Sequence, residues 1–449
     1  MRRIMIVGTN SGCGKTTITC AVMQALVNRG MKVSAFKCGP DYIDPMFHKS
    51  VIGADPHNLD GWFCDGKMLR RILADGSFDS NISLIEGVMG FYDGVSGKAS
   101  SHAVSQEVNC PVIIVVDCKG MSTSIGAVVN GFLNFRTPNN IVGFIFNRLP
   151  PQLVDEVKSL CNEAGTEFLG YFPISPECAL ESRKLGLVTP DEVCELKQKT
   201  QKLAEKAEQH ISITRMLEIS DKPSLTDLAE LPLRHRSGVR IAVARDAAFL
   251  FIYRDNMRFL EHLGAEILYF SPLDDNQIPE RASGLILCGG YPELFAEKLS
   301  KNQSMLHSIR DKIKHGMPVI AECGGFMYLH EFLATSEGEL YPMVGFIKGK
   351  AFPTAKLQRF GYVRLHAMDN NLLCNKNEEL LAHEFHYWDS ENCGNGFTAV
   401  KESSGKQWEC VHATENMYAG FPHLYFYANM SAAEKFIEAC ANFGGHNDI

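Results

Sequence analysis

Ile4-Met5-Ile6-Val7-Gly8-Thr9-Asn10-Ser11-Gly12-Cys13-Gly14-Lys15-Thr16-Thr17 is the stretch on which the reading of the fold turns. A short apolar run reads as a buried strand. It leads into a glycine-rich loop that ends in lysine and threonine, and a helical pattern follows. Glycines let backbone N–H groups turn inward around phosphate oxygens at a helix N-terminus. Lys15 can neutralise the outer phosphates, and the Thr16 hydroxyl can hold Mg²⁺. The usual G-x-x-x-x-G-K-[ST] spacing fails by one place, because Gly8 comes one residue early and Thr9 stands where glycine is expected. A chance glycine-rich turn would not carry both the strand before it and the helix after it. ATP is therefore the expected ligand, with Thr9, Gly12, Gly14, Lys15, Thr16 and Thr17 around its phosphates.

Outward from this loop, apolar runs alternate with helix-like stretches. Ile4 to Val7, Val33 to Phe36, Ile82 to Ile85, Val112 to Val116 and Ile141 to Phe146 read as strands of a parallel sheet with helices on both faces. Two of these runs lead into acidic residues. Ile82 to Ile85 ends in Glu86-Gly87, which places a carboxylate just past the strand's carboxyl end, where ligands bind in open α/β sheets. Lys37-Cys38-Gly39-Pro40-Asp41-Tyr42-Ile43-Asp44-Pro45 holds two aspartates that can bind a metal or order a substrate, although alone it is an ordinary Gly-Pro-Asp turn.

The texture then changes. Glu192 to Ser212 is charged and helical in period. Asp221 to Gly238 carries two prolines and the basic cluster Arg234-His235-Arg236, read as a solvated link. From Val239 a second α/β series begins: Val239 to Val243, Glu266 to Tyr269, Gly284 to Leu287 and Pro318 to Ala321. The expected organisation is a nucleotide-binding domain over 1–215, a linker over 216–238 and a second domain over 239–449.

In the second series, Pro318-Val319-Ile320-Ala321-Glu322-Cys323-Gly324-Gly325-Phe326 has the strand, tight turn and helix pattern of a nucleophile elbow. Cys323 would stand at the turn, where the helix N-terminus favours a thiolate. The N–H of Gly324 is one oxyanion donor. The pair Gly289-Gly290, after an earlier strand, can supply the second from Gly290. A structural role, buried and inert, describes most of the other cysteines. A cysteine nucleophile needs a base, and His383, His386, His412 and His423 are all candidates by spacing. A metal site on His383 and His386 lacks a third ligand pattern.

Composition narrows the function classes. The 449 residues exceed one ordinary core, and the 45% hydrophobic and 21% charged fractions are those of a globular protein. Forty-four basic residues against 52 acids give a net charge of -8, which argues against a general nucleic-acid binder. The 15 cysteines include no C-x-x-C pair, so neither a zinc ribbon nor a redox motif is expected. Arg2 and Arg3 precede an apolar run that stops at Gly8, a strand and not a signal peptide. No apolar segment is long enough for a bilayer, and a cytoplasmic location is expected. Oligomeric state is left open, a homodimer included.

The blocks GTNSGCGKTT, KCGPDYIDP followed by NLDGW, IEGVMGFYDG, IAVARDAAFLFIYRDN, LCGGYPELFA, AECGGFMYL, HEFHY and GFPHLYF make the chain resemble the cobyrinic acid a,c-diamide synthases, amidotransferases of corrinoid synthesis, over nearly its full length. The resemblance implies an N-terminal domain similar to dethiobiotin synthetase, whose phosphate loop has the same offset glycine. It implies a C-terminal class I glutaminase-like domain. It makes Lys15 and Thr16 phosphate and Mg²⁺ contacts and Glu86 an Mg²⁺ or active-site acid. Asp41, Tyr42, Asp44 and Asp93 fall among residues tied to substrate, metal and catalysis, and Asn147 sits where related folds read adenine. Cys323 becomes the glutaminase nucleophile and His423 its base. The implied reaction amidates two carboxylates of a tetrapyrrole acid with ATP and glutamine. Cobyrinic acid is favoured, with hydrogenobyrinic acid and nickel sirohydrochlorin as alternatives. Where the family usually has a second histidine, this chain has Tyr425, and Pro422 precedes His423. His423 then has no acid two residues on to orient it, which implies a modest glutaminase rate or a dependence on ligands in the other domain. A CTP synthase-like ligase would carry His-x-Glu, unlike His423-Leu424-Tyr425. A partition-type ATPase would carry an extra lysine early in the loop, where Thr9 and Asn10 stand.

Overall fold

The computed structural model describes residues 1–175, 190–233 and 238–445, so Arg234-His235-Arg236 lies outside the described residues. The chain divides into two compact units, Met1–Glu230 and Leu231–Ile449. The first is built on seven strands: β1 (Arg3–Gly8), β2 (Val33–Cys38), β3 (Asp55–Leu59), β4 (Ile82–Gly90), β5 (Val112–Asp117), β6 (Ile141–Asn147) and β7 (Glu167–Phe172). They lie in the order β3-β2-β4-β1-β5-β6-β7, and every neighbouring pair is parallel. Covered on both faces, the central strands read as unbroken apolar runs, which is why five were legible. The two missed strands are the edges. In β3, Asp-Pro-His-Asn-Leu includes a proline that only an edge tolerates, and β7 is broken by Gly170 in a positive-φ conformation.

One expectation needs correction. Glu86 does not lie past the end of its strand, because β4 runs on to Gly90. Glu86 pairs with Ile6 on one side and Lys37 on the other. The register then slips, so that Gly90 lies against Gly8 at the start of the phosphate loop. The expected linker is also partly folded. Helix Ile213–Ser220 buries Met216 in the core of the first unit, and Asp221 bridges to Arg2. The charged stretch forms helix Pro190–His210, whose Leu203, Ala204 and Ala207 pack into the same core beside α1 (Lys15–Asn28).

The second unit holds the four expected strands in a six-stranded sheet ordered Glu266–Phe270, Arg240–Ala244, Gly284–Leu287, Val319–Glu322, Met417–Gly420, His412–Ala413. The first five are parallel and the last is antiparallel. The chain between Tyr328 and Met417 forms further sheet that the apolar runs did not announce. Its largest part is antiparallel: Gln407–Cys410, Phe397–Lys401, Arg359–Ala367, Glu379–His386 and His423–Leu424, in that order. Such strands mix polar and apolar residues because one face is less covered, and Arg-Phe-Gly-Tyr-Val-Arg-Leu-His-Ala has no continuous apolar signal. Among the described residues no helix is long and apolar enough to cross a membrane. All described cysteines except Cys194 and Cys393 are buried, and none forms a disulfide.

Arg3, at the start of β1, is 1% exposed. Its Nε donates to the carbonyls of Val108 (3.0 Å) and Asn109 (3.2 Å), and its Nη1 donates to those of Met1 (3.3 Å) and Pro223 (2.9 Å). The guanidinium thus ties the first strand to the chain that leaves the unit. Arg3→Met keeps an apolar stem but strips one buried and three part-buried carbonyls of this donor. It should cost roughly 2–4 kcal/mol, read as a lower denaturant midpoint with an unchanged slope.

Candidate active sites

The first site forms at the carboxyl ends of β1, β2 and β4. Gly12 and Gly14 adopt positive φ (80° and 91°), which turns the loop around the start of α1. Thr9 N–H donates to the Val115 carbonyl (3.1 Å) and its hydroxyl to Asn10 Oδ1 (2.9 Å). Lys15, Thr16 and Thr17 occupy the half-buried first turn of α1. Asn147, at the end of β6, is tied to the loop itself. Its Nδ2 donates to the Cys13 carbonyl (2.8 Å), and a Cβ on Gly14 would come within 2.1 Å of that nitrogen. Asp93 sits at the loop's rim, where it accepts from Gly90 N–H (2.9 Å). A Cβ at Gly90 would meet the Thr9 carbonyl at 2.8 Å, so the end of β4 and the loop touch.

Beside the loop lies a buried charge cluster. Lys37 Nζ donates to Asp44 Oδ2 (2.5 Å) and Glu86 Oε1 (2.9 Å) and lies 4.0 Å from Asp41 Oδ2. Glu86 Oε1 also accepts from the Thr16 hydroxyl (2.7 Å) and is 3.9 Å from Lys15 Nζ. Glu86 Oε2 faces His48 Nε2 at 3.5 Å. Burial pushes the Glu86 carboxyl up, but Lys37, His48 and Lys15 outweigh it and hold Glu86 well below the carboxylate range. Burial and the charge of Glu86 push Asp44 the other way, upward. Burial alone would lower the Lys37 ammonium, yet the three carboxylates keep it well above its ordinary value. Asp41 Oδ1 accepts from Ile43 N–H (2.8 Å) and Asp44 N–H (3.3 Å), and so holds the start of helix Ile43–Phe47, where Tyr42 takes the cap position.

The structure therefore brings together Lys15, Thr16, Glu86, Asp44 and, through Lys37, Asp41. It adds two residues that the sequence reading did not single out, Lys37 and His48. Lys37 had a signal, since a lysine inside a buried strand needs charged partners. Chemically, the loop amides and Lys15 suit phosphate oxygens, and the oxygens of Thr16 and Glu86 suit a hard divalent cation.

The second site is at the carboxyl ends of the Gly284–Leu287 and Val319–Glu322 strands. Cys323 has φ 49° and ψ −105°, immediately before helix Gly324–Tyr328, and its N–H donates to the Gly420 carbonyl (2.8 Å). The glycines around it are sterically required. A Cβ on Gly325 would lie 2.0 Å from the Leu287 carbonyl, and one on Gly324 would lie 2.9 Å from the Gly290 nitrogen. Gly324 and Gly290, whose amides are the expected oxyanion donors, thus lie against one another.

His423 is 3% exposed and hydrogen-bonded to Cys323. Burial acts to lower its pKa, but Cys323 and the nearby Glu322 carboxylate outweigh it and carry it up to about 10. Glu322 Oε2 lies 3.6 Å from His423 Nδ1, and Glu322 Oε1 accepts from Leu424 N–H (2.9 Å). The imidazole that the sequence left without an orienting acid thus has a carboxylate beside it, from the residue before the nucleophile. Tyr425, two places after His423, instead turns its hydroxyl to Asp255 Oδ2 (3.3 Å). The other histidine candidates are used elsewhere. His386 stacks on Phe421 at 3.9 Å and bonds the Trp388 carbonyl (2.6 Å), and His412 bonds the Asn392 carbonyl (2.9 Å). His383 is the cross-strand neighbour of His423, and burial first, then the His423 charge, pushes it down to about 3.

Comparisons with known proteins agree with this division. Residues 4–187 match the CobQ/CobB/MinD/ParA nucleotide binding domain, and residues 240–430 match the CobB/CobQ-like glutamine amidotransferase domain. A protein of Caldanaerobacter subterraneus named cobyrinate a,c-diamide synthase is 37% identical over 99% of both chains. Relatives of the same name in Listeria innocua (38% identical, 96% of this chain and 97% of that one) and Thermoplasma volcanium (37%, 100% and 99%) align as fully. The two domains together make an ATP-dependent amide ligase that takes its nitrogen from glutamine. By identity sustained across both domains and nearly every residue, the chain belongs to the cobyrinate a,c-diamide synthase family.

Proposed function

We propose that this protein amidates the a and c carboxylates of cobyrinic acid, each through an acyl phosphate, with ammonia from glutamine hydrolysed at Cys323. A carboxylate is a poor acyl electrophile and ammonium is no nucleophile, so the reaction needs two activations. In the first site the γ-phosphoryl group moves from ATP to a side-chain carboxylate of the macrocycle. The loop amides and Lys15 hold the phosphates, which is mainly positioning and charge neutralisation. Thr16 and Glu86 are the residues suited to hold Mg²⁺. Both offer oxygens, and Glu86 Oε2 is buried with no hydrogen-bond partner among the described residues. Bound there, the ion would neutralise charge on the transferring phosphate. Asp44 and Asp41, grouped around Lys37, and Asp93 at the loop are the acids suited to order the substrate and the metal. Asn147, held on the Cys13 carbonyl, braces the loop beside the nucleotide.

In the second site His423 holds the proton given up by the Cys323 thiol while the sulfur attacks the glutamine amide carbon. The tetrahedral oxyanion is received by the N–H groups of Gly324 and Gly290. Collapse expels ammonia and leaves a thioester, and water then releases glutamate. The ammonia attacks the acyl phosphate and displaces phosphate. The single observation that supports cobyrinic acid over another tetrapyrrole acid is identity along nearly the whole chain with relatives bearing that name.

Three outcomes test this reading. Offered cobyrinic acid, hydrogenobyrinic acid and nickel sirohydrochlorin in turn with ATP, Mg²⁺ and glutamine, the enzyme should exchange two carboxylates for amides only on the first, read by mass spectrometry. Cys323→Ala should lower glutamine-driven amidation by at least about 1,000-fold while ammonia-driven amidation stays within about twofold. Loss of both would sink the two-site scheme. Lys37→Met leaves Glu86 buried without its closest cation. It should lower ammonia-driven and glutamine-driven amidation alike, by roughly 100-fold or more, and destabilise the first unit by about 3 kcal/mol. Steady-state assays with each nitrogen donor and a denaturation curve measure both effects.

A further inference from the structure

We infer that Glu322 is a positioning residue of the glutamine-hydrolysing centre, fixing the His423 imidazole toward Cys323 and stabilising its protonated form in place of an acid two residues after the histidine. The inference rests on the assignment of Cys323 as nucleophile and His423 as its base. A histidine that takes a proton on one ring nitrogen needs the other held by an acceptor, which sets its tautomer and balances the imidazolium charge. The sequence position that would supply such an acid holds Tyr425, whose hydroxyl is committed to Asp255.

Glu322 meets the requirement from another direction. It is the last residue of its strand and 7% exposed. Its Oε1 is anchored by the N–H of Leu424, the residue after His423, which leaves Oε2 facing Nδ1 at 3.6 Å. Catalytic hydrogen bonds are often long before substrate binds and tighten when charge develops. The ring is confined from its edge as well, since any Cβ at Gly289 would meet Cε1 at 2.6 Å.

The other titratable groups around this pair are accounted for by their surroundings. His383, across the strand pair, is held neutral by burial and by His423. Tyr418 and Cys288 face Glu322, and burial followed by the Glu322 charge pushes both well up, so neither ionises. On the Cys323 side, burial and then Glu293 push Tyr291 up. With Glu322, Cys323 and His423 all buried, one carboxylate beside the imidazole acts at low screening. With the thiol proton held on Nε2, sulfur bonds the amide carbon. That proton later leaves with the departing nitrogen, and Glu322 remains a carboxylate throughout.

Glu322→Gln tests this, because it keeps the shape and the acceptor for Leu424 N–H and removes only the charge. The kcat for glutamine hydrolysis should fall roughly 10- to 100-fold with KM for glutamine within about twofold. The limb of the pH profile set by the imidazolium should move about one unit lower. Wild-type kcat with an unmoved limb would overturn the inference and leave Glu322 as an anchor for the Leu424 amide alone. If the glutamine variant does not fold, Glu322→Asp carries the test. With its charge retained, the limb should stay in place, and a displaced limb would overturn the inference. Cys323→Ala run alongside separates the two levels. Glutaminase surviving that change removes the nucleophile assignment itself, whereas its loss with an unaffected Glu322→Gln removes only the role of Glu322.

Discussion

In a parallel sheet all carboxyl ends face one way, and each of the two chemical centres is assembled on that constraint within its own unit. In the first, register sets Ile6, Glu86 and Lys37 side by side on β1, β4 and β2. The phosphate loop then leaves β1 two residues beyond Ile6, so Thr16 at the start of α1 reaches back to the Glu86 carboxylate. In the second, Gly284–Leu287 and Val319–Glu322 are adjacent and parallel. One strand runs on into Gly289-Gly290 and the other into Cys323, which is why two segments distant in sequence meet at Gly290 and Gly324.

The first centre concentrates charge where water is scarce. Three carboxylates, Glu86, Asp44 and Asp41, surround the single ammonium of Lys37, with Lys15 at the edge. An ion so buried is tolerated only when closely paired. Glu86, with Lys37, Lys15 and Thr16 upon it, takes the tight pairing and stays ionised. Asp44 carries the surplus negative charge and is pushed toward its protonated form. Two carboxyls in one cluster thus have opposite tendencies set by their surroundings, the pattern by which proton-holding and charge-holding roles separate in active sites.

How much could be read beforehand follows from where information is stored. Central strands buried on both faces announce themselves as apolar runs, and a phosphate loop or a nucleophile turn is contiguous, so Lys15, Thr16 and Cys323 were visible. Edge strands such as Asp55–Leu59 carry little apolar signal, and the antiparallel strands between Tyr328 and Met417 alternate without a continuous run. Lys37 and Glu322 were in quoted segments, yet their partners come from register and from contacts 49 and 102 residues away. His48 opens a short π-helix, His48–Ile52, with no pattern to mark it. Linear spacing pointed to Tyr425 as the place for an acid and found none. The fold supplies one from the end of a strand in the other sheet, Val319–Glu322.

Strain at residue 323 links that substitution to the chemistry. In an extended strand the side chains of residues 322 and 323 would point to opposite faces of the sheet. At φ 49° the backbone of Cys323 departs from that path, and such a conformation costs on the order of 1–3 kcal/mol for a residue with a side chain. It is held by the Cys323 N–H on the Gly420 carbonyl and by Gly325 pressed against the Leu287 carbonyl, where no side chain fits. The bend lets two consecutive side chains address one imidazole, sulfur on one side and carboxylate near the other. Cys323 and Glu322 can therefore reach one imidazole from consecutive positions only because the backbone between them is forced out of its ordinary conformation.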